Sequence, residues 1–113
     1  MEIIKIIPVV FYKETPGKEP VKEWLWELDK EDRKAIGEDI RTVQIDWPVG
    51  KPLVSPFGHG LWEIRSSLEN RIARIFFMFN DGKIVLLHGF IKKTQKTPPD
   101  ELKLALKRAK NFK

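Results

Sequence analysis

The sequence predicts an α+β fold: an antiparallel four-stranded sheet laid down as strand, two helices and three strands, with the helical hairpin on one face and a basic helix at the C-terminus. Three observations carry that expectation. Two stretches of helical period follow an Ile/Val-rich first strand, three alternating segments joined by turn signals come next, and a proline-started amphipathic stretch closes the chain. With 113 residues, 42% apolar, four Trp and seven Phe, the chain suits one domain spanning 1–113 with its own core.

Ile3 to Tyr12 reads as the first strand, ended by Thr15-Pro16-Gly17, and Pro8 marks it as an edge strand or a bulge. From Pro20, Val21, Trp24, Leu25 and Leu28 recur at i, i+3, i+4 and i+7 and define one buried helix face. Asp29 is placed to cap a second helix, in which Ile36, Ile40, Val43 and Trp47 repeat the period until Pro48-Val49-Gly50 stops it. Pro48 to Gly60, with three Pro and three Gly, reads as an ordered loop. Leu61–Ser66, Arg71–Phe79 and Lys83–Ile91 then form an antiparallel meander through Ser67–Asn70 and the hairpin signal Asp81-Gly82. The last helix starts at Thr97-Pro98-Pro99-Asp100 with Thr as cap, and Leu102, Ala105, Leu106, Ala109 and Phe112 form its apolar stripe.

Charge is segregated. From Ile91 to the end, eight basic residues face two acidic ones, a net +6, whereas residues 1–90 sum to −1. A local basic patch beside folded apolar structure is the footprint of a protein that meets a polyanion, most commonly nucleic acid; the plainer alternative is a solvated helix face. The stretch Lys18–Asp46 is net −3 and suits scaffolding. The absence of cysteine excludes disulfides, thiolate nucleophiles and Cys metal sites, and two histidines supply metal chemistry poorly, so no metal or cofactor is expected. The composition fits a cytoplasmic protein. Lys5 and Pro8 break the N-terminal apolar run as a signal peptide, and no stretch approaches membrane-spanning length.

A symmetric Ser67–Asn70 turn places Glu63 opposite Arg74 and Arg65 opposite Ile72. Alternation then puts Glu63, Arg65 and Arg74 on one face and Trp62, Ile64, Ala73, Ile75 and Phe77 on the core face. Carried through Asp81-Gly82, the same pairing sets Arg74 opposite Gly89, where the missing side chain leaves room, and brings Lys93 to the charged face. A carboxylate, two guanidiniums and an ammonium beside a gap suit phosphodiester chemistry. Arg presents a planar fork to phosphate oxygens and stabilises the extra charge of a pentacoordinate phosphorane, while in RNA the neighbouring 2′-hydroxyl supplies the nucleophile. Glu63 is the candidate acceptor of that hydroxyl's proton. The alternative is an ordinary cross-strand Glu63–Arg74 pair contributing a few tenths to about 1 kcal/mol. His88, opposite Ile75, reads as a core imidazole, His59 as a loop residue near the basic face, and Trp62 as core. Phe76 and Phe90 are candidates to flank the site, although Phe90 shares the core parity.

The strings Gly60-Leu61-Trp62-Glu63-Ile64-Arg65, Arg74-Ile75-Phe76-Phe77 and Leu86 to Pro98 (LLHGFIKKTQKTP) resemble the phage-derived branch of the RelE/HigB toxin superfamily, over nearly the whole chain. The resemblance implies a RelE-like fold and the toxin of a type II toxin–antitoxin pair, a ribosome-dependent mRNA endoribonuclease that blocks translation. Such a toxin cuts mRNA in the ribosomal A site by 2′-hydroxyl attack. The basic residues used by relatives map onto Arg65, Arg74, Lys92 and Lys93, with strand parity favouring Lys93 over Lys92 as the inward one. Lys96, Lys103, Lys107 and Arg108, with His59, form the candidate RNA-binding surface. Some relatives use a Tyr or His near the C-terminus, and this chain has neither after His88. The implied partners are mRNA, the ribosome and a helix-turn-helix antitoxin of the HigA type, through which alone operator DNA is bound; no membrane is involved. The competing reading is a non-catalytic RNA- or ribosome-binding module, or a decayed toxin acting mainly through its helix-turn-helix partner.

Overall fold

Apolar periodicity places each helix, and the computed structural model, which describes residues 5–92 and 97–112, shows how they stack on the sheet. The elements are β1 (Val9–Phe11), α1 (Pro20–Glu27), α2 (Lys30–Asp46), β2 (Val54–Gly58), β3 (Leu61–Leu68), β4 (Arg71–Asn80), β5 (Lys83–Lys92) and α3 (Pro99–Asn111). They build an α+β fold around one mixed sheet of five strands in the order β1-β5-β4-β3-β2, and not the expected four-stranded antiparallel sheet.

Two differences account for the change. The expected loop contains β2, whose VSPFG sequence looks loop-like because of Pro56 and Gly58. At the sheet edge, however, one side of the strand needs no ladder donors, so proline is tolerated. The first strand is only three residues long, and it pairs parallel with β5 through Val9↔Ile84 to Phe11↔Leu86. Parallel pairing requires a long crossover, which α1, α2 and the following strands supply. Ile3 and Ile4 lie outside the described residues. Pro8 directly precedes this edge strand, its carbonyl accepting from the Ile84 N–H at 2.8 Å.

Both sheet faces are covered. The stripes of α1 and α2 (Val21, Leu25, Ile36, Ile40, Val43) pack on Ile64, Ala73, Ile75, Phe77, Ile84 and Leu86, the face that alternation assigns to the core. Trp62 and Trp47 join this layer, their rings edge to face with centroids 5.0 Å apart. On the opposite face α3 lays Leu102, Ala105, Leu106, Ala109 and Phe112 over Tyr12, Leu61, Phe76, Val85 and Leu87, a second core. Asp29 occupies the N-cap of α2, without a side-chain cap bond. At α3 the N-cap is Pro98 and not Thr97. No helix among the described residues is long and apolar enough to cross a membrane.

The register differs from the symmetric-turn expectation. Leu68 pairs with Arg71, so the turn is the two residues Glu69-Asn70, with Asn70 at φ 59°. Every pair is displaced by two: Glu63 faces Phe76, and Arg65 faces Arg74 instead of Ile72. An even displacement preserves parity, so Glu63, Arg65 and Arg74 still share a face. Between β4 and β5 the Asp81-Gly82 hairpin holds as expected, with both residues at positive φ, but a bulge interrupts the ladder after Phe77↔Leu86. That odd step turns over everything beyond it. His88 faces Phe76 and not Ile75, Arg74 faces Phe90 and not Gly89, and Lys92 faces Ile72.

Candidate functional site: a cationic cluster at one end of the sheet

The expected inward lysine, Lys93, lies outside the described residues. Beyond the bulge Phe90 and Lys92 alternate onto the face of Arg74, so the ladder brings Lys92 there. Its ammonium is held below the ordinary lysine value, first by burial and then by the charge of Arg74. Glu63 opposes that shift and Arg65 adds to it. Those four groups therefore sense one another. The expected gap at Gly89 is elsewhere: Gly89 lies on the α1 side, where a Cβ would stand 2.4 Å from Cζ3 of Trp24. Glycine is present so that the Trp24 indole can lie on the strand.

Within the cluster the cations differ in access. Arg74 is buried, and its Nη1 donates to Oε1 of Glu63, itself only 1% exposed. The pair is sealed in: Glu63 Oε2 and Arg74 Nε are buried with no hydrogen-bond partner among the described residues. The expectation of an open Arg74 is thus corrected to a guanidinium stored against a carboxylate, beside the second core, where Phe76 is wholly buried and Phe90 lies across from Arg74. Arg65 and Lys92, half-buried, form the accessible rim.

Arg65 also borders a hollow of about 370 Å³ between α2 and the sheet edge, lined by Ser67, Ile72 and Leu53 with Glu38 and Asp39 but not by Arg74 or Lys92. Ser66 Oγ donates to Asp39 Oδ2, fixing that carboxylate against β3. Nothing in the local pattern exposes this feature, because Asp39 reads as part of a solvated helix face until α2 is docked.

The remaining candidates separate. Lys103 and Lys107 are exposed along the outer side of α3, one turn apart. Arg108 turns inward, its Nη1 donating to the Leu87 carbonyl at 2.8 Å and lying 3.4 Å from His88 Nδ1, with the guanidinium over the Tyr12 ring. His88 is a packing group, though on the α3 face and not the α1–α2 face: its Nε2 lies 3.0 Å from Glu101 Oε2 and its ring stacks on Phe90. Burial pushes its pKa below the ordinary histidine value, against the pull of Glu101. In the neutral ring Nε2–H then donates to Glu101 and Nδ1 accepts from Arg108. His59 is exposed in the β2–β3 turn at φ 56°. From Leu61 to Arg65 alone is roughly 13 Å of strand at about 3.3 Å per residue, so His59 stands apart from the cluster. Lys96 lies outside the described residues.

Fold and site together define a small α+β domain whose mixed sheet carries two accessible cations and one stored guanidinium at one end. The model of the family described as Phage derived protein Gp49-like (DUF891) matches residues 23–110, and the chain belongs to that family. No curated protein matches it.

Proposed function

We propose that this chain is a toxin of the RelE/HigB type, the poison half of a type II toxin–antitoxin pair, and that it cleaves mRNA on the ribosome. The observation that carries the reading is the Arg65↔Arg74 register with Lys92 on the same face of the next strand, three cations brought together, the last of them by a bulge. Membership in a phage-derived family and the basic outer side of α3 support it.

In the proposed reaction Arg65 forks the non-bridging oxygens of the scissile phosphate, and Arg74, drawn toward the phosphate, adds charge as the phosphorane forms. The RNA 2′-oxygen bonds to phosphorus and gives its proton to Glu63, which the movement of Arg74 toward the phosphate uncovers. The P–O5′ bond breaks, and the leaving 5′-oxygen takes a proton from Lys92, whose lowered pKa makes it a better acid than an ordinary lysine. The products are a 2′,3′-cyclic phosphate and a 5′-hydroxyl. The ribosome positions the substrate, so free RNA is a poor one. An adjacent helix-turn-helix antitoxin neutralises the protein and carries it to operator DNA.

The test is purified protein added to ribosomes stalled on a defined mRNA. A new fragment ending in a 2′,3′-cyclic phosphate, absent with Arg65→Ala and Lys92→Ala, supports cleavage. Tight ribosome binding with no fragment points instead to a non-catalytic binding module, the second reading, which the buried Glu63–Arg74 pair favours.

A further inference from the structure

The hollow between α2 and the open edge of β3 is, we propose, a guanine-binding pocket that holds an RNA base next to the cleaved linkage, an inference that rests on the nuclease reading. β2 begins at Val54, opposite Ile64, and the Leu53 carbonyl accepts from the Arg65 N–H at 2.7 Å. Past that point β3 has no neighbour on its outer side, and the space left against α2 is about 370 Å³, within the range of small-ligand sites.

Its walls suit a flat ring. Ala35, Pro52, Leu53 and Ile72 supply apolar surface, while the polar groups divide into two kinds. Asp39, pinned by Ser66, and the exposed Glu38 bring acceptors; Arg65 and the Ser67 hydroxyl bring donors. Two carboxylates repel phosphate, so the polyanion backbone stays on the cluster side of Arg65 and only a base enters. Guanine is the base whose Watson–Crick edge carries two adjacent donors, N1–H and the 2-amino group, beside an acceptor, O6. Carboxylate oxygens take the two donors and Arg65 or Ser67 donates to O6. Uracil turns carbonyls toward the carboxylates and is rejected, and adenine and cytosine offer one amino group each. Because Arg65 borders both the pocket and the cationic cluster, a base bound here belongs to a nucleotide flanking the scissile phosphate.

The experiment is an NMR titration of the full chain with guanosine 3′,5′-bisphosphate and, separately, uridine 3′,5′-bisphosphate. The guanosine compound is expected to shift the Ala35, Leu53 and Ile72 methyl signals and to bind roughly tenfold or more tighter than the uridine one, the discrimination typical of a bidentate base contact. Glu38→Gln, an exposed and size-conserving change, and Asp39→Asn, which still accepts from Ser66, are expected to erase that preference while the amide spectrum stays folded. Equal affinities, a preference that survives in both variants, or shifts confined to other surfaces would overturn the pocket. Mapping of mRNA ends in cells separates this from the nuclease reading. Cuts without any base bias, together with equal affinities, sink the pocket alone; a clear guanosine preference with no cuts at all sinks the nuclease and leaves the pocket standing.

Discussion

Arg74 shows how a charge is stored out of water. A guanidinium and a carboxylate, both taken out of water, stay together because separating them leaves one charge buried and unpaired. Arg74→Ala is therefore expected to lower unfolding free energy by about 3 kcal/mol. The double change Arg74→Met with Glu63→Leu is expected to recover most of that loss, as read by urea denaturation. A double variant as unstable as the single one would show that the pair is not the source of the cost. Arg65 and Lys92, at the rim, are the residues whose replacement tests activity without that penalty. Lys92 also sets a pH dependence. Its folded pKa is depressed, so the acid form is lost at lower pH than for a free lysine, and cleavage should decline on the alkaline side. Lys92→Arg, which stays protonated, should move that decline upward in a ribosome assay run across alkaline pH.

At the scale of elements, two junctions hold the layers together. Trp24 of α1 rests on Gly89, and a methyl there meets the rigid indole, not a flexible chain end. Gly89→Ala is expected to destabilise the fold by about 1–3 kcal/mol, with Trp24→Leu in the same chain relieving most of it in chemical denaturation. The second junction is His88 with Glu101 and Arg108, which ties α3 to β5. His88 has a folded pKa below its unfolded value, so the unfolded chain binds more protons as pH falls through the ordinary histidine range near 6.5. Stability should be full above that range and drop below it. His88→Gln should flatten the fall in melting temperature between about pH 7.5 and 5. An unchanged slope would assign it to carboxylates elsewhere.

The same scale explains what could be read in advance. The stripes of α1, α2 and α3 were legible because helical period follows directly from burial, and the shared face of Glu63, Arg65 and Arg74 survived a wrong register because the slip was even. That Lys92 shares a face with Arg74 was not legible, since one bulge residue, with no marker in LLHGF, reverses parity. β2 was hidden by Pro56, and the parallel pairing of β1 by the distance in sequence to β5. The pocket beside Arg65 exists only once α2 is docked, so no local pattern announces it.

For the whole molecule, charge is divided by location: residues 18–46, the segment that contains α1 and α2, are net −3, whereas Lys103 and Lys107 lie on the exposed side of α3 across the sheet. Ribosome or RNA binding should therefore weaken steeply with salt. Lys103→Glu with Lys107→Glu should flatten the log–log slope by about 1–2, measured by fluorescence anisotropy across salt concentrations. Changes to Lys30 or Lys34 on α2 should leave that slope alone. In the proposed reaction Arg65, Lys92 and the stored Arg74 act on RNA that α3 has already attracted.

The account stands or falls on whether that cluster cuts. Transcriptome-wide mapping of mRNA 5′ ends after induction should reveal new ends within translated frames, phased to codons, that vanish with Arg65→Ala in a folded, equally abundant protein. No new ends from the unaltered chain, or the same ends with Arg65→Ala, would contradict it.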